Sequence, residues 1–423
     1  MGTAARPVRR GKPLMMPATS MPDTSAAAGR ANDAALQRLY AVRPQWQGVR
    51  SARDAVGLPD RTLLHAGPPF ADPRAPSAPV LSSAVLCCLY EGWADTEAEA
   101  EALIASGAVT LASAQSFDVV TPLAAVISPR TALVEVADAG NPANRAWSLL
   151  GSGAGPQIRF GSRDPAVLAR LGWRDDVLAP ALAATLARCP VDLIPLARHG
   201  VDGGDDLHAR TASATAALIR HLAPRVHDEE VMAVLARTPL FFLTLWMAAC
   251  HTMTAAAAHG AAPEATLVVA LAGNGSEVGV RLAGRASRWF TTRADAPDGP
   301  RLDAACTVAA APMTGDSGVI DAAGFGAQAL ALAPEPAAAF SAWLPPRWQE
   351  SQARLYAGRH PAFADLHCGL DAARVAAGQA APLAAIAMIG ADGRTGLLGR
   401  GLFTAPAALF ASALPGAAAQ HGA

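Results

Sequence analysis

The chain has 423 residues, of which 52% are hydrophobic and 16% are charged. This composition provides for a large core and excludes a mostly disordered protein, and the length predicts two or three domains. The net charge of −1 indicates no strongly basic face, so nucleic acid is not expected as a main partner.

The basic residues are almost all of one type, because Lys12 is the only lysine among 34 basic residues. Lys12 lies in the N-terminal leader, so no ordered lysine is expected for a Schiff base, a phosphate clamp or a general base. This excludes the lysine-dependent chemistry of pyridoxal enzymes, P-loop NTPases and kinase-like folds. Any anion site must therefore rely on arginine side chains and backbone amides.

The cysteines and the hydrophobic runs indicate the compartment. The six cysteines form no CxxC pair, and they are predicted to be free thiols in a reducing environment. The most hydrophobic run, 239–250, is interrupted by Thr244, which favours a buried core helix over a membrane span. We therefore expect a soluble, cytoplasmic protein with no membrane association.

The N-terminal region is predicted to be a leader followed by a helix. Residues 1–34 are rich in Pro, Ser and Ala without periodicity, which predicts a disordered leader. Asn32 and Asp33 are candidates for the cap of a first helix that runs toward Val42.

Residues 35–160 are predicted to form an N-terminal mixed α/β domain, because strands and helices alternate along this stretch. The predicted helices begin at Pro79 and after Thr96. The predicted strands cover 61–67, 108–112 and 131–137.

The remaining chain is predicted to hold a helical subdomain and a second mixed domain. Residues 161–232 favour helices, with breaks expected at Pro180, Pro190 and Pro195. Residues 233–423 are predicted to form a C-terminal α/β domain. It would contain a buried helix at about 240–258, strands at 266–271, 277–283 and 288–292, and a helix from about 316 to 333.

The segment around Asn274-Gly275 carries the first candidate site. If 277–283 is a strand, Glu277, Gly279 and Arg281 lie on one face, and Gly279 leaves room for a ligand beside the arginine. The Arg281 guanidinium could bind a carboxylate or phosphate in a bidentate manner. The alternative, favoured by spacing alone, is a simple turn with a surface ion pair between Glu277 and Arg281.

Two further segments offer anion-binding or proton-transfer groups. Gly315, Asp316 and Ser317 precede a predicted helix, where amides and the serine hydroxyl could bind an anion, although a helix cap is the commoner role. Asp205, Asp206, His208 and Arg210 form the other segment. They could bind a metal or move protons, or they could cap a helix and face water.

Weaker candidates lie in the N-terminal half. His65 and Gly67 belong to a Gly-Pro-Pro loop after a strand, and Glu91 lies near a helix end. A core histidine and a solvated carboxylate are the default interpretations. No metal site is predicted, and no nucleophile elbow or zinc-protease motif occurs.

Taken together, about ten segments over residues 40–410 resemble the YlbE-like family, whose members occur beside FdrA-like proteins in allantoin catabolism gene sets. The segments that carry the resemblance are 63–69, 90–94, 122–129, 159–161, 205–210, 241–243, 247–250, 274–281, 288–291, 315–317, 324–326 and 369–401. The resemblance implies an α+β fold, in which a small helical domain lies between two mixed α/β domains.

The resemblance also implies a function. Related proteins are subunits of oxamate carbamoyltransferase, which converts oxalurate and phosphate to oxamate and carbamoyl phosphate. A small anionic substrate, an FdrA-like partner subunit and a possible homo-oligomer are therefore expected, with phosphate or carbamoyl phosphate as a substrate and no certain cofactor. A scaffold or regulatory subunit, or an anion-binding protein without turnover, stays open as an alternative.

On this basis the candidate residues receive roles. Arg281 and the amides at 315–317 would bind the anion, and Asn274 and Glu277 would orient the carbamoyl group. The acid/base candidates of second rank are His65, Asp205 and His208. The remaining candidates for the anion site are Gly67, Glu91, Arg210, Gly279, Gly315, Asp316 and Ser317.

Several positions depart from the family pattern. Gln115 lies in a stretch where the family usually has a histidine, and Ala209, Thr211 and Thr244 stand where asparagine is usual. Asp321 replaces a longer Glu. These differences favour a different substrate or a divergent paralogue.

Overall fold

The computed structural model describes residues 24–378 and 380–416, which fold into helices and small sheets. The helices are α1 Thr24–Ala41, α2 Ala52–Val56, α3 Ala78–Tyr90, α4 Glu97–Ala105, α5 Ala166–Trp173, α6 Ala179–Leu186, α7 Leu193–Asp202, α8 Ala212–Leu222, α9 Glu229–Ala236, α10 Phe242–Ala258, α11 Gly318–Ala323, α12 Pro334–Ala339, α13 Trp348–Ala353, α14 Ala372–Ala377 and α15 Ala407–Ala413. Short 3-10 segments cover Ala114–Phe117, Ile158–Phe160, Ala283–Arg285 and Gly326–Leu332.

The strands form one five-stranded sheet, one four-stranded sheet and several two-stranded pairs. They are β1 Pro44–Ser51, β2 Thr62–His65, β3 Thr110–Ser113, β4 Val119–Val120, β5 Ala132–Asp138, β6 Asn141–Leu149, β7 Val191–Asp192, β8 Val268–Asn274, β9 Glu277–Leu282, β10 Phe290–Arg293, β11 Thr314–Gly315, β12 Tyr356–Arg359, β13 His367–Leu370, β14 Leu383–Ala385, β15 Met388–Ile389, β16 Leu397–Gly399 and β17 Leu402–Thr404. The larger sheets have the orders β4-β6-β5-β1-β7 and β10-β9-β8-β11. Most pairs are antiparallel, and the fold is α+β, as predicted.

Helix α10 is buried along almost its whole length and joins the two larger sheets. It packs against β5 and β6 of one sheet, β8 of the other, and helices α1 and α11. Trp246 contacts the rings of Phe242, Phe325 and Phe363. The prediction of a buried core helix here is confirmed. Within residues 24–378 and 380–416, no helix is both long and apolar enough to cross a membrane.

The first helix begins earlier than the sequence predicted. Helix α1 starts at Thr24, so residues 24–34 of the predicted leader are helical, and the rest of that leader lies outside the described residues. The prediction that Asn32 or Asp33 caps the helix is wrong, because both lie inside it. Asn32 is buried and bonds Thr266, so tertiary contacts explain its presence.

The prediction of one helix over 316–333 is wrong, because the observed helix is much shorter. Helix α11 ends at Ala323, where Gly324 adopts φ 118°. A Cβ at Gly324 would lie 2.2 Å from the His367 carbonyl oxygen, so close packing against β13 selects glycine and ends the helix. The chain resumes as the 3-10 segment Gly326–Leu332.

The helical region after residue 160 is less broken than predicted. The predictions of breaks at Pro180 and Pro195 are wrong, because these prolines lie in the first turns of α6 and α7. Pro180 comes directly after the π-helical turn Arg174–Leu178 that joins α5 to α6. The domain boundaries after residues 160 and 232 stay predictions.

Candidate functional site

A cavity of about 420 Å³ lies where segments distant in sequence converge. Its wall combines the 3-10 turn at Arg159, the loop before α8, the residue before α11, and the strands after residue 385. Its polar and charged lining groups are Arg159, His208, Arg210, Thr211, Ser317, Glu335 and Arg400, and most of the remaining wall is apolar. An apolar cavity with a few converging polar groups is typical of small-molecule sites.

His208 is held rigidly in this wall. Its Nδ1 lies 2.7 Å from Asp321 Oδ2. Asp321 Oδ1 accepts hydrogen bonds from the amides of Ala327 and Ala385, at 2.8 and 3.0 Å, so the carboxylate is fixed too. Because Asp321 accepts the Nδ1 proton, Nε2 is the histidine nitrogen left for a ligand.

The loop that carries His208 is shaped by two buried carboxylates. Asp206 accepts from the amides of His208, Ala209 and Arg210, and burial raises its pKa. Asp205 accepts from the Ala214 amide at 2.8 Å, which caps α8, and burial raises its pKa as well. The carboxylate oxygens of Asp205 and Asp206 accept hydrogen bonds from backbone amides, so both residues stabilise the loop.

Arg159 stands out electrostatically. Its guanidinium lies over the Phe160 ring at 4.9 Å, and its Nε is buried without a hydrogen-bond partner. Within the described part of the chain it forms no ion pair, and burial lowers its pKa to about 10. A cation in a cavity wall without a counter-ion is a natural ligand for an anion.

The other arginines of the cavity are compensated. Arg210 pairs with Asp205, and Arg400 Nη1 lies 2.7 Å from Glu335 Oε1. Arg210 Nε is also 4.0 Å from Glu335 Oε2. These pairs shape the rim, whereas Arg159 has no carboxylate partner among the described residues.

A second polar cluster lies around Asp316, next to the cavity residue Ser317. Asp316 is fully buried and accepts from the amides of Gly67 and Thr121 at 2.9 Å, and from Gln115 Nε2 at 2.6 Å. Burial raises its pKa. All three donors to Asp316 come from the N-terminal half of the chain, so this carboxylate links that half to the segment before α11.

The loop at Gly67 packs directly against the β8 end. Gly67 has φ 80°, and a Cβ there would lie 2.4 Å from the Gly273 carbonyl carbon. Only glycine fits this approach of two backbones. Gly315 likewise has φ 125°, and a Cβ there would lie 2.7 Å from the Leu123 amide nitrogen.

Arg281 is linked to the same cluster. It donates from Nη2 to Gln115 Oε1 and from Nη1 to the Ala286 carbonyl. Its guanidinium lies 4.9 Å from the Trp289 ring centroid. Gly279 makes that arrangement possible, since a Cβ there would be 2.8 Å from Trp289 Cε3.

Asn274 and Glu277 form the turn between β8 and β9. Asn274 Oδ1 accepts from the amides of Ser276 and Glu277, and its Nδ2 donates to the Pro68 carbonyl at 3.0 Å. Glu277 accepts from the Thr291 hydroxyl rather than pairing with Arg281. Both side chains therefore stabilise the β8–β9 hairpin.

His65 and Glu91 lie outside the cavity lining. His65 is buried against Phe70, and its Nδ1 lies 2.8 Å from the Ala66 carbonyl oxygen. Burial lowers the pKa of His65 to about 4. Glu91 accepts from the Arg130 amide. No group of three or more His, Cys, Asp or Glu side chains suited to a metal is found within residues 24–378 and 380–416.

Comparison with known proteins identifies the family. The oxamate carbamoyltransferase subunit AllG of Escherichia coli K12 is 32% identical over 423 aligned residues, which cover 93% of this chain and 98% of that protein. The chain belongs to the AllG family. The family described as oxamate carbamoyltransferase subunit AllG matches residues 109–317. The resemblance to oxamate carbamoyltransferase subunits that the motifs predicted is confirmed.

Two further proteins are similar to this chain over most of its length. The uncharacterized protein YahG of the same organism is 28% identical and covers 93% of this chain and 86% of that one. The crystal structure of a conserved protein of unknown function from Enterococcus faecalis V583 superposes with a TM-score of 0.86 at 26% identity, covering 93% and 98% of the two chains.

In this AllG family member, the predicted site residues lie in the cavity, in the cluster around Asp316, or outside both. The cavity brings together His208, Arg210 and Ser317. The cluster around Asp316 contains Gly67, Asn274, Gly279, Gly315 and Arg281, whereas His65, Glu91 and Glu277 contact neither Arg159 nor His208.

Sequence reasoning did not select Arg159, Asp321 or Gln115 as site residues. Arg159 had a usable signal, since no acidic residue lies within four positions of it. Asp321 and Gln115 stand out in the sequence only as departures from the family pattern, and their partners, 113 and 201 residues away, could not be inferred from the sequence.

Proposed function

We propose that this chain is a subunit of an oxamate carbamoyltransferase in allantoin catabolism and that its cavity binds the anionic substrate. The relative with 32% identity carries that name, and it supports the subunit role. The proposal that the cavity binds the substrate rests on Arg159. This cation lies in the cavity wall, its Nε is buried without a partner, and it has no counter-ion among the described residues.

An oxyanion would complete the bonding of Arg159. A carboxylate or phosphate oxygen accepts from a guanidinium at low desolvation cost, because Arg is weakly hydrated and presents a planar set of donors. Oxalurate carries a carboxylate, and the second substrate is phosphate. The Ser317 hydroxyl lies in the same wall and offers a neutral donor beside the cation.

We propose that His208 moves the proton of this reaction, and its position in the cavity wall beside Asp321 supports this role. In phosphorolysis, a phosphate oxygen attacks the carbamoyl carbon and the bond from that carbon to the oxamate nitrogen breaks. The phosphate proton passes to His208 Nε2 and then to the departing nitrogen, so the histidine ends unchanged. Asp321, which holds Nδ1, stabilises the imidazolium formed between the two transfers.

The partners of this chain are part of the proposal. A subunit acts with other chains, and we infer that one is an FdrA-like protein. The alternative is a scaffold or regulatory subunit that leaves the chemistry to that partner.

The test is carbamoyl phosphate formation from oxalurate and phosphate by the complex of this chain with its partner subunits. Arg159→Gln should lower kcat/KM by about 10- to 100-fold, because a hydrogen bond to a charged group contributes about 1.5–3 kcal/mol. Arg159→Lys should recover part of the loss. Arg347→Gln is the matched control, since this exposed arginine pairs with Glu350 outside the cavity.

Two outcomes would contradict the proposal. Full activity of Arg159→Gln in an intact complex would remove the cavity as the substrate site. Equal activity of the partner subunits without this chain would favour the scaffold or regulatory role.

A further inference from the structure

The cavity that contains Arg159 has a mostly apolar wall. Its larger apolar side chains come from several separate segments and are those of Leu123, Phe160, Pro239, Leu240, Leu243, Leu302, Ile386 and Leu397. The volume of about 420 Å³ lies within the range of about 300–1,000 Å³ that is usual for sites of drug-sized ligands. Such a wall favours a ligand that places carbon atoms against it, because burial of apolar surface is favourable.

Most of the polar side chains in this wall already contact other residues of the protein. The pairs are Thr211 with the Pro239 carbonyl, Arg210 with Asp205, and Arg400 with Glu335. His208 uses Nδ1 to bind Asp321, so Nε2 is its nitrogen for a ligand. The polar part of the proposed substrate site is therefore small and consists mainly of Arg159, Ser317 and His208 Nε2.

Oxalurate matches the polar part of this cavity but not its apolar wall. Each of its carbon atoms belongs to a carbonyl or carboxylate group, so the molecule has no hydrocarbon surface. Its donors and acceptors lose water on entering the cavity, and each one that stays unpaired weakens binding. The wall indicates a ligand that combines an anionic group with an apolar one.

Leu302 supports this inference by a different observation. Its side chain lines the cavity and is nevertheless 73% exposed. Its backbone is held in place, because the Leu302 amide donates to the Leu398 carbonyl at 2.8 Å and Arg301 forms a β-bridge with Gly399. An exposed leucine on a fixed backbone beside an apolar cavity offers surface that an apolar ligand group would cover.

We propose that the substrate class of this cavity is a ureido acid with an apolar side chain, that is, the N-carbamoyl derivative of a hydrophobic amino acid. This molecule keeps the carbamoyl group and the carboxylate of oxalurate, and it has a carbon with a side chain in place of the second carbonyl. The carboxylate binds Arg159, and the side chain packs on the apolar wall. The inference rests on the proposed function, because it assigns a substrate to the same cavity.

The chemistry is the carbamoyl transfer already proposed for oxalurate. A phosphate oxygen forms a bond to the carbamoyl carbon, the bond from that carbon to the nitrogen breaks, and the phosphate proton ends on that nitrogen. The products are carbamoyl phosphate and the free amino acid, and the reverse transfer follows the same steps.

The experiment is calorimetric titration of the full chain with N-carbamoyl-leucine, N-carbamoylglycine and oxalurate, each in a separate titration. The first two ligands differ only in the apolar side chain. N-carbamoyl-leucine should bind about 10- to 100-fold more tightly than N-carbamoylglycine, because each methylene buried in a hydrophobic pocket strengthens binding measurably. It should also bind more tightly than oxalurate.

Variants separate the apolar contact from the anion contact. Leu302→Ser should weaken binding of N-carbamoyl-leucine by about two- to fivefold and leave N-carbamoylglycine unchanged. Trp343→Ser is the matched control, since Trp343 is another exposed hydrophobic residue and lies outside the cavity lining. Arg159→Gln should weaken all three ligands, because they share the carboxylate. Thermal unfolding of each variant confirms that the fold is retained.

Equal affinity of wild type for N-carbamoyl-leucine and N-carbamoylglycine would overturn the inference, and so would a failure to bind N-carbamoyl-leucine. This comparison needs no variant, so it holds even if a substitution prevents folding. If Arg159→Gln weakens both ligands in that case, the proposed anion site stands and only the substrate class is wrong. Unchanged binding of all three ligands by a folded Arg159→Gln variant would instead contradict the proposed function.

Discussion

At the scale of single residues, burial and one hydrogen bond separate two histidines that look alike in sequence. His65 packs against Phe70 and leaves Nε2 buried without a partner. His208 has its Nδ1 bound to Asp321 and lies in a cavity wall. The same side chain is therefore a neutral core group in one place and a proton-transfer candidate in the other.

For His208 we predict that replacement by Gln lowers turnover by about 10²- to 10⁴-fold, the range of general acid–base catalysis. Oxamate binding by the variant should stay within a few-fold of wild type, because the proposed anion ligand is Arg159. The measurement is kcat of the complex, determined together with KM for oxalurate.

Asp321→Asn should also lower turnover, since it no longer selects the Nδ1–H form of the imidazole. His259→Gln, at an exposed histidine, is the control. Equal kcat values for wild type and His208→Gln would remove His208 from the reaction.

At the scale of elements, α1 begins earlier than its local sequence predicts. Asn32, which looks like a helix cap in the sequence, instead lies inside α1 and contacts a segment far along the chain. Asn32 Oδ1 accepts from the Thr266 amide at 2.8 Å, and Nδ2 donates to the Thr266 hydroxyl. That hydroxyl donates to Asp371 at 2.6 Å. Three distant segments are thus joined through one buried polar chain.

We expect Asn32→Ala to lower the free energy of unfolding by about 1–3 kcal/mol, because the Thr266 amide would be left buried without an acceptor. Asp33→Ala, at the exposed neighbouring position, should change it by less than about 0.5 kcal/mol. Urea unfolding of the two variants measures the difference. Equal effects would show that the Asn32 network contributes nothing.

At the scale of the whole molecule, buried histidines make stability depend on pH. His360 packs against Tyr40 and Phe363, and burial lowers its pKa to about 4. The unfolded chain takes up this proton near pH 6.5, so the stability that neutral His360 contributes is present above that pH and falls away toward pH 4.

Lowering the pH from 7 to 5 should reduce the free energy of unfolding of wild type. We predict that this reduction is about 2 kcal/mol smaller in His360→Asn, which lacks the buried imidazole. In wild type, His360 Nδ1 accepts a hydrogen bond from the Ala362 amide. Asparagine is chosen because its side-chain oxygen can also accept this bond. The comparison between variants is needed because burial raises the pKa values of Asp206 and Asp316, which gives stability of the opposite pH dependence. Parallel pH curves for the two proteins would contradict the prediction.

The sequence by itself determined features that depend on local patterns. The alternation of elements favoured an α/β or α+β class, and the family resemblance implied α+β. The apolar run after residue 239 predicted the buried helix α10, and Asn274-Gly275 predicted the hairpin between β8 and β9. The near absence of lysine left arginine as the cation for any anion site. These follow from neighbouring residues, so composition and spacing suffice to predict them.

Only the tertiary structure decided which polar residues meet. His208 pairs with Asp321 across 113 positions, and Gln115 reaches Asp316 across 201. The unpaired state of Arg159 is likewise a property of its three-dimensional surroundings, because a side chain lacks a counter-ion only when no carboxylate from any segment folds beside it. Periodicity carries no information about such long-range contacts, which arise from the packing of the sheets and α10 around one another.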